Sequence, residues 1–374
     1  MADINGFAQP RFAAVREAFA ANFDTGQELG ARFSLVLAGE VVVDLWAGFA
    51  DRPRTKAFDE ATLTPVFSTT KAVAALLIAR LVDQGKLWYD QPVADVWPEF
   101  AQAGKAAITV EQVMSHQDGL AGFPDEMEPS LWFDWDAICA KLAAMAPLWP
   151  PGTASGYHPV TFGYTAGEIF RRVDGRTMGT ALRDDLAQPL GLDLWIGLPD
   201  AEHERAADLQ RPSGLPDFGE INEATKAAFL TPWSSPAGRG QAEWRRVEIP
   251  SANGHATALA LARLAGALAH DGWLDGEQIL SRALIAEASR ERIRGQDLVL
   301  PFEMSWGAGF MRNAPVKVWG PGEQTFGHSG WGGSCVFADP QTGLAGAYVM
   351  NKQSTALIGD PRAKRLIEAA YSAL

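Results

Sequence analysis

The sequence predicts an α+β protein in which both ends of the chain build one antiparallel sheet, helices flank it, and a mostly helical segment is inserted between. Two hairpins near opposite ends carry this reading. Phe33–Leu37 and Val41–Trp46 are apolar runs around Ala38-Gly39-Glu40, a turn that bears glycine. Ser334–Ala338 and Leu344–Met350 repeat the pattern around Asp339-Pro340-Gln341-Thr342-Gly343, whose residues favour turns. The third observation is the long middle of the chain, where apolar residues recur at helical spacing.

Taken in order, Phe12, Val15, Phe19 and Phe23 mark a first helix that stops before Gly26. After the first hairpin, helices are expected over Lys71–Leu81, Val110–Met114, Phe162–Val173 and Ala256–His270. Arg211–Gly254 is rich in Pro, Gly and Ser and weakly periodic, so it reads as a long loop, and such loops commonly form lids or binding walls. A closing helix starts at Asp360-Pro361, an N-cap followed by proline at the first helical position, with Leu366, Ile367, Ala370 and Tyr371 on one face. The expected organisation is an α/β domain over 1–65 plus 270–374 and a mostly helical domain over 66–269. One catalytic unit would then have its site between them.

Composition removes several function classes. The 374 residues are 47% apolar and 21% charged, an ordinary globular mixture. With 32 basic against 45 acidic residues the net charge is −13, and no Lys/Arg block appears, so no nucleic-acid partner is expected. Cys139 and Cys335 are far apart and read as reduced, buried thiols. Met1–Phe12 lacks the basic and apolar regions of a secretory leader, and the longest apolar run, Ala72–Ile78, is too short to span a bilayer. A cytoplasmic protein without membrane contact is expected, and both monomer and homodimer fit the sequence. The six histidines show no metal-ligand spacing, and no glycine-rich nucleotide loop exists. No metal and no cofactor are therefore expected.

Chemistry enters at Pro65-Val66-Phe67-Ser68-Thr69-Thr70-Lys71. Ser68 opens an apolar helix and Lys71 follows three residues later, so one helical turn brings the amine beside the hydroxyl. A serine hydroxyl attacks a carbonyl only when a base takes its proton, and a lysine is that base only when its pKa is lowered. The helix start also supplies free backbone N–H groups for a developing oxyanion.

With this motif the chain resembles the serine β-lactamase and penicillin-binding-protein superfamily, in particular class C β-lactamases and family VIII carboxylesterases. Ile108–Leu120 looks like the stretch between that family's first two catalytic motifs, Pro151-Gly152-Thr153 to Tyr157 like its second motif, and Gln188–Leu192 like the exit from the following helix. The similarity runs in order over about residues 12–374. It implies a β-lactamase-like fold, Ser68 as nucleophile, Lys71 as its partner base, and Tyr157 as the tyrosine of the second motif. A phenol beside a lysine loses its proton more readily and can pass protons to a leaving group.

Two departures bear on substrate. Pro159 stands where class C β-lactamases carry an asparagine that holds an amide. Gly327-His328-Ser329-Gly330-Trp331-Gly332-Gly333 replaces the usual Lys-Thr-Gly, a pattern closer to family VIII esterases. A neutral imidazole clamps a carboxylate poorly, so both departures favour an ester over a lactam. The N–H groups of Ser68 and Trp331 are the expected oxyanion donors, and His328, Trp331 and Gly332 the expected substrate contacts. Trp132, Trp135, Trp149, Trp233 and Trp244 are further candidates for an apolar pocket. Ser251-Ala252-Asn253 has the form of a different catalytic motif, but its place before a helix makes capping the simpler account. The expected activity is hydrolysis of small carboxylic esters, with short acyl chains, through an acyl-enzyme; a β-lactamase, a D-amino-acid peptidase or an acyltransferase would use the same intermediate.

Overall fold

The computed structural model describes residues 3–374; Met1 and Ala2, the first residues of the segment read for a leader, lie outside them. Both termini enter one nine-stranded antiparallel sheet. Its order is Asn5–Ala8, Glu40–Gly48, Gly30–Leu37, Leu344–Met350, Cys335–Asp339, Phe326–Ser329, Met311–Arg312, Glu303–Trp306 and Ile293–Gln296. The first hairpin turns through Ala38 and Gly39, both at positive φ, the left-handed geometry that matches the twist of the strands.

Alternation along the central strands sorts the core into two layers. Leu344, Tyr348 and Met350 face the terminal helices Ala13–Asp24 and Pro361–Tyr371, where Phe19, Leu366 and Ile367 are buried with them. Ala345, Ala347 and Val349 face the other way, towards the helix Ala258–Ala269. That helix was expected over Ala256–His270 as part of the helical insertion; its first residues form instead the strand Gly254–Ala256, and Thr257 caps it. Gly254–Ala256 joins Thr64–Phe67 and Leu194–Trp195 in a small three-stranded sheet. The other expected helices are observed at Thr70–Asp83, Val110–Met114 and Thr161–Asp174. Within Arg211–Gly254 the chain is not all loop: Glu223–Thr225 continues as a helical turn through Leu230, and Ala242–Arg246 is a short helix. No helix among the described residues is long and apolar enough to cross a membrane.

The closing helix is fixed to the sheet by a buried charge cluster. Arg362 pairs with Glu28 at 3.1 Å and Asp360 at 2.9 Å and donates to the Lys352 carbonyl at 2.8 Å. Removing the one cation of such a cluster leaves carboxylates buried without compensation. Arg362→Met is expected to destabilise the protein by about 3–5 kcal/mol in urea unfolding. A variant as stable as wild type would contradict this account of the cluster.

Candidate active site

Ser68 sits where the small sheet meets the helix Thr70–Asp83. The residue before it, Phe67, has φ +49°, a left-handed conformation that a bulky side chain adopts only when its surroundings enforce it. Thr70 does so: its hydroxyl donates to the Phe67 carbonyl at 2.5 Å and accepts from the Gly254 N–H at 2.9 Å. The sharp turn leaves the Ser68 side chain half-buried at the cavity wall while the helix behind it is buried on almost every face.

Lys71 is 0% exposed. Its Nζ donates to the Pro159 carbonyl at 2.8 Å and the Ser251 carbonyl at 3.0 Å, and lies 3.2 Å from Ser68 Oγ. Burial, with no carboxylate to offset it, holds the amine well below the usual lysine pKa. A neutral amine has two N–H donors and one lone pair. With both donors taken by carbonyls, the lone pair is left for the Ser68 hydroxyl. Neither carbonyl was anticipated in the sequence. Pro159 was read only as a missing side-chain amide, and Ser251 as part of a helix cap. The capping account is corrected here: Ser251 Oγ donates to the Val160 carbonyl at 2.7 Å, and the Asn253 side chain is spent on Ile249, Trp244 and Val247 backbone groups.

Tyr157 packs against the same lysine, whose Nζ lies 4.7 Å from the ring centroid. Burial raises the phenol above its ordinary pKa, outweighing the neighbouring Ser68 side chain, which favours the anion. Burial of both groups works against the ionisation that the sequence leads one to expect of the phenol: it lowers the pKa of the amine and raises that of the phenol. Asp297 supports this arrangement and had no mark in the sequence. Its carboxylate accepts from the Tyr157 N–H at 2.9 Å, from Ser155 Oγ at 3.1 Å and from Trp306 Nε1 at 3.3 Å, and Trp306 stacks on the tyrosine ring at 5.8 Å. The nearby negative charge also disfavours a phenolate. His116, from the Ile108–Leu120 stretch, packs edge-on under the ring at 5.1 Å, so that stretch forms the floor below Tyr157.

The strand Phe326–Ser329 brings up the third group. The turn after it lies so close to Val66 that a Cβ on Gly330 would come within 2.2 Å of the Val66 carbonyl oxygen. Ser334 Oγ closes the seam by donating to that carbonyl at 2.7 Å. Among the described residues neither the Ser68 N–H nor the Trp331 N–H has a protein acceptor. His328 is buried, and its Nδ1 is 2.7 Å from the Ser329 carbonyl, so Nδ1 carries the hydrogen and Nε2 presents a lone pair. Burial above all holds its pKa down at about 3, so the ring is neutral at physiological pH. Gly332 lines no cavity at the site. At φ +87° it turns its carbonyl back onto Arg362 Nη2 at 2.9 Å, which ties the turn to the closing helix.

Two cavities meet at Ser68, Phe229 and Trp331. One, about 380 Å³, is lined by Tyr157, Trp306, His328, Leu300 and Leu357. The other, about 590 Å³, is lined by Phe67, Val160, Ser234, Arg239 and Trp244. Of the five tryptophans singled out in the sequence, Trp244 alone lines a cavity here. Trp132, Trp135 and Trp149 bond to Trp233, Glu168 and Ala154 instead, and Trp233 bonds to Phe123. Trp306, buried and stacked on Tyr157, was missed.

The beta-lactamase family model matches residues 15–371. The chain is 37% identical to the esterase/beta-lactamase LipL of Mycobacterium tuberculosis, over 94% of this chain and 84% of that protein. It superposes on a crystal structure described as a novel penicillin-binding protein homolog from Caulobacter crescentus with TM-score 0.98 at 71% identity, over the whole of both chains. A family VIII carboxylesterase structure superposes with TM-score 0.94 at 43% identity, again over both full chains. The chain belongs to the beta-lactamase family of serine hydrolases, and its whole length follows the fold of a family VIII carboxylesterase.

Proposed function

We propose that the protein is a carboxylesterase that cleaves small esters through an acyl-enzyme on Ser68. The observation that carries this is the buried Lys71, whose Nζ lies 3.2 Å from Ser68 Oγ and is held there by the Pro159 and Ser251 carbonyls. Lys71 takes the hydroxyl proton as Oγ attacks the ester carbonyl. The oxyanion rests between the backbone N–H groups of Ser68 and Trp331. When the tetrahedral adduct collapses, Tyr157 gives its phenolic proton to the departing alkoxide and is restored by the proton that Lys71 holds. Water then enters and the same transfers run again to release the acid.

An ester suits this site better than a lactam. His328 is neutral and cannot clamp a lactam carboxylate by charge, and Pro159 offers no side-chain amide. The similarity to a penicillin-binding protein homolog favours lactam acylation as the second reading. Hydrolysis of 4-nitrophenyl butyrate, run beside a chromogenic cephalosporin, separates them: fast ester turnover with slow lactam turnover is expected, and comparable rates would favour the second reading. Tyr157→Phe is expected to lower kcat for the ester by about 10²–10⁴-fold, and an unchanged kcat would remove the phenol from proton transfer.

A further inference from the structure

The wall of the larger cavity carries a charge for which the mechanism has no use. Arg239 lines it beside Ser234 and Ser235 and is itself exposed, open to a molecule that enters the cavity. Nearby, Arg205 pairs with Asp193 and Glu202 and Arg246 with Asp200. Arg239 has no carboxylate partner among the described residues, and the charged group that acts on it is a second arginine, Arg211. In a chain of net charge −13, an uncompensated guanidinium in a cavity wall is a local positive charge that draws in an anion.

The position of Tyr157 says which part of the substrate meets this field. Tyr157 lines the smaller cavity, so the leaving oxygen that it protonates faces that side. Ser68 lies on the seam, which sends the acyl chain into the larger cavity. There Phe67, Val160, Phe229 and Trp244 offer an apolar wall suited to methylenes, and Arg239 lines the same cavity. A guanidinium matches a carboxylate with two parallel N–H···O bonds. We propose that Arg239 binds a carboxylate at the far end of the acyl chain, so that the preferred substrates are monoesters of dicarboxylic acids. The inference rests on the esterase reading above and names its substrate class. It also places the substrate's anion on the acyl side, away from His328.

The test compares 4-nitrophenyl monoesters of adipic and suberic acids with 4-nitrophenyl hexanoate and octanoate, chain for chain. The readout is the ratio of kcat/KM, carboxylate-bearing over plain. In wild type this ratio is expected to exceed one by about 10–100-fold, as charge-assisted hydrogen bonds commonly achieve. It should fall towards one in Arg239→Gln, fall further in Arg239→Glu, and shrink as ionic strength rises. A wild-type ratio near one, or a ratio that Arg239→Gln leaves intact, overturns the carboxylate site while ester turnover stands. Failure of wild type to cleave any of the four esters overturns the esterase reading itself.

Discussion

Ser68→Ala is expected to lower kcat for 4-nitrophenyl butyrate by about 10⁶-fold, the loss typical when the nucleophile of a coupled catalytic unit is removed. Nothing else at the site can take its place. Among the serines lining the two cavities, Ser68 is the one that Lys71 Nζ reaches, at 3.2 Å, its other bonds going to the Pro159 and Ser251 carbonyls. Ser68 is half-buried and its side chain bears no structural hydrogen bond beyond Lys71 and Tyr157, so the variant should keep the wild-type circular dichroism and melting temperature. Residual turnover within about 100-fold of wild type would mean that another group attacks the ester.

Lys71→Met is expected to cost about 10⁴–10⁶-fold in kcat/KM, because a base that acts as one unit with its nucleophile is nearly as indispensable as the nucleophile. Its pH dependence gives an independent check. Only the neutral amine accepts the Ser68 proton, so log kcat/KM rises with pH through the pKa of Lys71, which burial holds well below the ordinary lysine value. The phenol of Tyr157 is shifted the other way, so its ionisation brings no decline until above the usual phenol pKa of about 10. His328, at about 3, is neutral throughout the working range and contributes no limb there. A rising limb at or above about pH 10.4, where an unperturbed lysine titrates, would contradict Lys71 as the base.

The parts legible in the sequence are those set by short-range geometry. The spacing of Ser68 and Lys71 is one helical turn, and the two hairpins announce themselves by apolar runs around turn formers. The Asp360-Pro361 start of the closing helix is realised with the Asp360 carboxylate accepting from the Arg362 N–H at 2.8 Å. What escaped depends on backbone atoms or on solitary residues. The carbonyls that tune Lys71 belong to residues 88 and 180 positions away, and any residue type supplies a carbonyl. Asp297 is one acid in a loop, and only the fold brings it under Tyr157. The strands Ile293–Gln296, Glu303–Trp306 and Met311–Arg312 are too short for an alternating pattern to stand out. Tyr157 itself was found through the ordered resemblance of its surroundings, since spacing alone does not connect it to Ser68.

The most direct test of the central claim is to trap the acyl-enzyme equivalent with a fluorophosphonate and locate the adduct by peptide mass mapping. One equivalent of label is expected, on the peptide containing Ser68, with ester turnover lost in step and no labelling of Ser68→Ala. Label on a different residue, or continued ester turnover in fully labelled protein, would contradict it.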